Sequence, residues 1–481
     1  MSYYAKSYSL KVPEGELAKH LGIELAAKNP VKSGPLQLSY PGHVNDPIPK
    51  AWIETFKSLG YEMKEDPFSR AARGAFSSLL SVDPVKRERS NAATAYYGPV
   101  AHRKNLTLWT GCLVEKILFS KDRDEVLATG IQFQQNGEIK EAKARKEVIL
   151  AAGSLQSPKM LELSGIGNAK LLISHGIEVL VDNPNVGENL QDHLFCCVSF
   201  EAKDSIQTLD DLVRKDQNAL EAAMTEYNSS RSGLFTSVGV TSYAYLPVIE
   251  FISEEGQAKL KKLLDSYILT EDKPAIKGNF KVARKILESE DEASGAFLAV
   301  TTQTDVMDLP LGPEPGKFVS LGAMLSQPLS TGSVHITSSS PLQKPLLDPN
   351  YLSNSIDLEI LARHAQYMLT IATTEPFCST ILKAGGKRKG EDAYFTSLGE
   401  AKKFVRRALS MWHPTSTCAM LPRENGGVVT ERLRVYGTRN LRIVDASVMP
   451  IIPRANIQSS VYAVAERAAD IIKEDNGLHT G

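Results

Sequence analysis

Apolar and polar positions alternate along residues 105–153, and the alternation predicts strands. "NLTLWTGCLVEKILF" and "EVLATGIQFQQNGEIKEAKARKEVILAAG" are rich in β-branched and aromatic residues, with Asn136-Gly137 as a hairpin turn between two runs. The last run, "VILAAG", is apolar enough to predict a strand buried on both faces. From Gly153 the period changes to that of a helix. "GSLQSPKMLELSGIG" predicts one with Ser157 as N-cap, Pro158 in the first helical position and Gly165 at its end. "NAKLLISHG" predicts a second capped helix, and "EVLV" a short strand. A strand that ends in Ala-Ala-Gly and feeds a helix is what a nucleotide-binding layer needs. Glycine admits close backbone approach, and a helix N-terminus carries positive potential.

Elsewhere the pattern predicts a helix over Ile48–Leu59, ended by Gly60. Between residues 200 and 410 the texture differs. Charged helical stretches ("EGQAKLKKLLDSYI", "VARKILESEDEA") read as solvated faces, "KFVSLGAML" and "GSVHITSS" as strands, and "DLEILARHAQYMLTIATT" as an amphipathic helix. The chain then returns to the first texture with "LRIVDASVMP" and a last helix, "SSVYAVAERAADIIKED", on which Val461, Val464, Ala465, Ala468 and Ile472 share a face. A closing strand–turn–helix that completes a sheet begun much earlier implies an inserted second lobe. The expected fold is therefore α/β (α+β). Residues 1–85 pack between lobes, 86–200 and 411–475 make up the first lobe, 201–410 form the second, and 476–481 are a tail.

At 481 residues the chain exceeds one ordinary core, which agrees with two lobes. With 42% hydrophobic and 23% charged residues the composition is that of a globular protein, and the net charge of -1 points to no nucleic acid or anionic membrane partner. No apolar run approaches the roughly 18 residues of a membrane span, and the first residues carry no secretory h-region. Compartment and oligomeric state are left open by these features. The five cysteines are scattered without a C-x-x-C pair, so free thiols are expected. The nine histidines show no ligand spacing, so no metal is expected. Serine hydrolysis lacks a G-x-S-x-G elbow and phosphoryl transfer lacks a P-loop. Two polar residues stand out, His413 in "MWHPTSTCAM" and Asn456 in "MPIIPRANIQSS". On spacing alone the simpler reading is a hydrogen-bonded structural histidine and a turn or cap asparagine.

The motifs change that balance. "GSLQSPKMLELSGIG" resembles, position for position, the second signature of the glucose–methanol–choline (GMC) oxidoreductase family. "WHPTSTCAM" resembles that family's catalytic-histidine segment and "LRVYGTRNLRIVDASVMP" its closing flavin-contact segment. "RSNAATAYYGPVAHRKNLTLWTGCLVEKILF" and "VGENLQDH" fit as well. The resemblance implies an FAD-binding Rossmann-like lobe with an inserted substrate domain, built as a sheet with covering helices. It implies oxidation of a small-molecule alcohol at its CH–OH group. His413 corresponds to the general base and Asn456 to the second active-site position. Val114 falls where backbone meets the adenine end of FAD; Asp445, Ala446 and Gln458 fall where the chain lines the isoalloxazine ring.

The sequence departs from the family at its start. No G-x-G-x-x-G occurs, the nearest string being "GIGNAK", and "MSYYAKSYSL" resembles an internal family stretch. The expectation is an incomplete sheet layer, with FAD binding weakened or lost. Losing two charge-assisted hydrogen bonds alone costs roughly 3–6 kcal/mol. Two other readings stay open here: a non-redox member that performs a cyclisation or elimination with structural FAD, and an inactive remnant or incomplete gene model.

Overall fold

The computed structural model describes residues 2–23, 33–40, 46–63, 73–122, 125–236, 239–267, 274–304 and 313–478. Met1 and residues 479–481 of the expected tail lie outside them. From the amino end, helix α1 (Ser2–Ser7) precedes α2 (Pro47–Ser58) and strand β1 (Gly74–Ser77). Asp46 caps α2 by accepting from the Ile48 N–H at 3.0 Å, and Pro47 takes the first helical position. Strands β2 (Cys112–Asp122), β3 (Glu125–Gln135) and β4 (Glu138–Lys143) form an antiparallel sheet. Asn136 and Gly137 join β3 to β4 with φ of 54° and 83°, the two left-handed residues that a type I′ hairpin turn requires.

Strand β5 (Val148–Leu150) leads into helix α3 (Gly153–Leu163), followed by α4 (Ala169–Ser174). The α3 helix starts five residues earlier than the sequence predicts, with Pro158 inside it. An interior proline removes one backbone donor and leaves the carbonyl four residues back without its partner. Here that carbonyl, Ser154 O, accepts from the Thr417 hydroxyl at 2.7 Å instead. Ser157 is not the cap. Its hydroxyl donates to Asp445 Oδ2 at 2.5 Å and accepts from the Ala152 N–H at 3.1 Å.

The second half supplies strands β6 (Leu194–Glu201) and β7 (Val240–Leu246), helices α5 (Glu254–Asp265) and α6 (Pro274–Leu287), and strands β8 (Gly295–Val300) and β9 (Phe318–Leu325). Helices α7 (Ser355–Thr373) and α8 (Leu398–Val405), strands β10 (Leu409–Ser410) and β11 (Leu441–Ile443), and helix α9 (Gln458–Asp475) follow. Six strands form one antiparallel sheet in the order β10-β6-β9-β8-β7-β1. Two of them, β1 and β6, come from outside the expected 201–410 lobe. The run "LFCCVSF" of β6 is buried throughout, as a central strand demands.

Side chains alternate across this sheet, so it has two different faces. On one face Cys196, Val198, Phe297, Ala299 and Leu321 pack under α2, α5, α6, α7 and α8 in the main core. On the other, Phe76, Phe195, Tyr245, Leu298 and Met324 pack with Tyr243, Met411 and Ala455. This second face abuts the segments that carry His413 and Asn456.

Strands β5 and β11 pair in parallel, with Leu441 opposite Val148 and Ile443 opposite Leu150. Five of the six strands of the large sheet lie between them in sequence, and β1 precedes both. Among the described residues this parallel layer has two strands. The expectation that β5 is buried on both faces fails, because Ile149 is 46% exposed while Leu150 is buried. So narrow a layer leaves one face of β5 uncovered. On α9, Ala465 is exposed rather than buried, and the buried set is Ser460, Ala463, Ala468, Asp470 and Ile471. The reason is α1, which lies along α9 and contributes Lys6 to Asp470 at 3.1 Å and Tyr4 Oη to Ser460 Oγ at 2.8 Å. All five cysteines are free, three of them buried. Among the described residues no helix is long and apolar enough to cross a membrane, and no cluster of histidine, cysteine and acidic residues could hold a metal ion.

Candidate active site

The pairing of β10 with β6 sets the site. Ser410 lies opposite Leu194, and the Met411 N–H donates to His193 O at 2.9 Å, so the residues just beyond each strand meet. Trp412 then takes a left-handed backbone (φ 57°), which sends its indole outward, 74% exposed, and turns His413 inward. Asp192 locks the turn. Its Oδ1 accepts from the His413 N–H at 2.9 Å, and its Oδ2 accepts from the Ser410 hydroxyl and from Tyr351 Oη at 2.7 Å. Beyond the histidine, Thr415 exchanges backbone hydrogen bonds with Gln191 at 2.8 and 3.2 Å. Ser154 Oγ holds the Pro414 carbonyl at 2.7 Å.

His413 and Asn456 are brought into direct contact. His413 Nε2 lies 3.2 Å from Asn456 Nδ2, and Asn456 Oδ1 accepts from Tyr243 Oη at 3.3 Å. The asparagine arrives on a loop tied down by Gln191, whose Oε1 accepts from the Ile452 N–H at 3.0 Å and whose Nε2 donates to Pro450 O at 3.2 Å. On the inner side, His413 Nδ1 lies 2.9 Å from Nδ1 of the fully buried His193. The sequence reading assigns no role to Gln191, Asp192 or His193, although all three stand in "VGENLQDH".

Burial sets the protonation of this row. Desolvation disfavours the charged form, so it lowers the proton affinity of His413, with the Asp192 charge opposing it in part. Tyr243 is pushed up to about 12 by burial, keeps its proton, and so serves as the donor to Asn456. His193 is pushed down to about 3, chiefly by burial and then by the neighbouring His413. A second buried histidine, His364, lies 3.2 Å from Ser294 Oγ and is pushed down to about 4, again by burial.

These two depressed values carry a sign. Below the ordinary value of about 6.5, the unfolded chain binds protons that the folded chain refuses, so stability falls on acidification. The expected slope is roughly 1.4 kcal/mol per pH unit and per histidine, continuing down toward each folded value. Urea unfolding between about pH 7.5 and about pH 5 measures it, and His364→Gln should flatten the curve. An unchanged slope in that variant would contradict the assignment.

The other expected residues separate into groups. Asp445 is buried, and its carboxylate accepts from the Gly153 N–H at 2.9 Å, Ser157 Oγ at 2.5 Å, the Ser447 N–H at 2.8 Å and Ser447 Oγ at 2.5 Å. That side chain is fully engaged inside the protein, clamping α3 to the segment after β11. Ala446 is buried beside it and its carbonyl accepts from the Ser416 N–H at 3.3 Å, close after His413 in the chain. Gln458 opens α9 with an exposed side chain that accepts from Ser81 Oγ at 3.1 Å. Val114 is part-buried on β2, in the separate antiparallel sheet that meets α3 through an Ile117 N–H to Ser164 Oγ bond of 2.9 Å.

Two models described as GMC oxidoreductase match this chain, one over residues 7–195 and the other over residues 328–465. GMC oxidoreductase family protein Mala s 12 of Malassezia sympodialis is 33% identical over 479 residues, 98% of this chain and 72% of its own length. Human mitochondrial choline dehydrogenase is 32% identical over 455 residues, 92% of this chain and 66% of its own. Among solved structures, an FAD-dependent oxidoreductase from Chaetomium thermophilum superposes with a TM-score of 0.85 at 26% identity, covering 99% of this chain and 80% of that one. A fungal aryl-alcohol oxidase gives 0.81 at 25% identity, covering 99% and 79%.

Proposed function

The chain belongs to the GMC oxidoreductase family, and from that premise we propose that it is an FAD-dependent enzyme oxidising the CH–OH group of a small-molecule alcohol. The observation that carries the reading is the 3.2 Å contact between His413 Nε2 and Asn456 Nδ2, a base beside an amide donor. Similarity to an FAD-dependent oxidoreductase, an aryl-alcohol oxidase and a choline dehydrogenase supports it.

The residues present fit the cofactor. A Cβ built on Gly153 meets nothing within 4 Å, and Ala151 and Ala152 beside it are exposed. Helix α9 begins without a side-chain cap, so its first turn can offer N–H groups to an electron-rich ligand edge, whereas at the start of α3 the Gly153 N–H is already taken by Asp445. Within the exposed stretch 101–111, Leu108 at 58% and Trp109 at 57% give apolar contact area that suits a ring system. We assign the flavin end to the backbone of Asp445 and Ala446 and to the start of α9 at Gln458. The adenine end goes to Val114 on β2. FAD supplies the acceptor for the two electrons that leave with the carbon-bound hydrogen.

The chain's own residues do the rest. An alcohol oxygen entering between the two side chains donates its proton to His413 Nε2 and accepts from Asn456 Nδ2. Its proton leaves as negative charge grows on oxygen, and the amide is already aimed at that charge. Because burial lowers the proton affinity of His413, the base enters each turnover neutral at neutral pH.

The test is to load the 481-residue chain with FAD and add primary alcohols without oxygen. Loss of the yellow flavin band with release of an aldehyde is expected; turnover of any substrate with the band intact would overturn the reading. We further expect the chain to hold FAD weakly, because no glycine fingerprint is present to grip the diphosphate. The deficit should be about 100- to 10,000-fold against a relative that carries one. Flavin that stays with the protein through dialysis would overturn this second part.

A further inference from the structure

His193 lies at the inner edge of the site, immediately before β6, with its ring at 88° to that of His413 and 5.1 Å between centroids. Its Nε2 is 3.2 Å from Ser326 O. A peptide carbonyl accepts and cannot donate, so this nitrogen carries the hydrogen. Full burial keeps the ring neutral, which leaves Nδ1 bare. That bare nitrogen stands 2.9 Å from His413 Nδ1. Two lone pairs at this separation would repel, so His413 Nδ1 carries a hydrogen and donates it. A neutral His413 then has its lone pair on Nε2, the nitrogen facing Asn456. Tyr243 completes the row by fixing the Asn456 amide from its far side.

We propose that His193 is a positioning residue, holding His413 in the Nδ1–H tautomer so that a bare Nε2 faces the alcohol. The proposal rests on the reading of His413 as the proton acceptor. In hydrolase triads a carboxylate holds the inner edge of the histidine and also raises its proton affinity. A neutral imidazole gives the same orientation without the charge. Asp192, the nearby carboxylate, hydrogen-bonds the backbone N–H of His413 and acts on the ring through its charge, not through a bond to a ring nitrogen. Once His413 has taken the proton, its Nδ1–H still has an acceptor in His193, so the row serves both protonation states.

Two substitutions separate the role from mere packing. His193→Asn keeps an acceptor, since Oδ1 can stand where Nδ1 stood; His193→Leu removes it. Nitrogen-15 spectra of histidine-labelled protein read the tautomer without any turnover. The wild type and His193→Asn are expected to show His413 with Nδ1 protonated and Nε2 bare, and His193→Leu a mixture of tautomers. In the flavin-loaded enzyme kcat should fall about 10- to 100-fold in His193→Leu and less than about 3-fold in His193→Asn, with KM little changed in both. Should His193→Leu fail to fold, the wild-type and His193→Asn spectra still decide. A wild-type spectrum with Nε2 of His413 protonated overturns the proposal, as does an equal loss of kcat in the two variants. A bare Nε2 in a protein that oxidises no alcohol upholds the tautomer and sinks the reaction instead.

Discussion

Replacing His413 with glutamine is expected to lower kcat/KM by about 10²–10⁴-fold, the range a positioned general base contributes. Glutamine fills much of the ring's space and can donate to His193 Nδ1, 2.9 Å from the present ring nitrogen, but it takes up no proton at neutral pH. Flavin uptake and the urea midpoint should stay near wild type, because the structural anchors of this segment are backbone ones. The His413 N–H donates to Asp192 at 2.9 Å, and the neighbouring Pro414 carbonyl accepts from Ser154 at 2.7 Å. The wild-type pH profile provides a second readout. Only unprotonated His413 accepts a proton, so the rate falls as pH drops through its pKa. Burial lowers that value from the ordinary 6.5, so the acid limb lies below 6.5. The limb should vanish in the variant. A His413→Gln enzyme that keeps its rate and its acid limb would remove this histidine from the chemistry.

The legible parts of this fold are those decided within a few residues. Asp46 and Pro47 announce α2, Asn136-Gly137 announces its hairpin, and Asn168 caps α4 by accepting from the Lys170 and Leu171 N–H groups. What misled is decided at long range. Pro158 reads as a helix start because a proline inside a helix orphans a carbonyl, yet Thr417, 263 positions away in the chain, satisfies that carbonyl. Ile149 reads as core because its run is apolar, and its exposure depends on how many strands flank it. The same division holds for the site. His413 and Asn456 were reached through motif resemblance, and the structure sets them 3.2 Å apart. His193 lies 220 positions from His413, and only the pairing of β10 with β6 makes them neighbours. The signal that could have found it is an Asp-His dipeptide directly before a fully apolar strand run, where a buried titratable pair needs partners. Asp445 was legible as a position and not as a role. Its carboxylate binds four protein donors, so what it offers a ligand is backbone.

Asp445→Ala is expected to destabilise the fold by about 3–5 kcal/mol, the cost of removing one member of a buried charged hydrogen-bond set. Four donors converge on this carboxylate: the Gly153 and Ser447 N–H groups at 2.9 and 2.8 Å, and the Ser157 and Ser447 hydroxyls, both at 2.5 Å. Alanine leaves all four without their acceptor. Asparagine is the graded control. Its oxygen can keep both Ser447 donors, while its amide nitrogen faces the Gly153 N–H, so roughly half the loss is expected. The order of urea midpoints should be wild type, then Asn, then Ala. The damage should also reach the site by a path that can be traced. Ala446 O and Ser447 O accept from the Ser416 and Cys418 N–H groups at 3.3 and 2.9 Å, so a loosened Asp445 loosens the stretch just after His413. Activity should therefore fall in the Ala variant without any change in the acid limb, since the base itself is untouched. An Ala variant within about 1 kcal/mol of wild type would mean that water replaces the carboxylate, and that the clamp between α3 and the residues after β11 is held elsewhere.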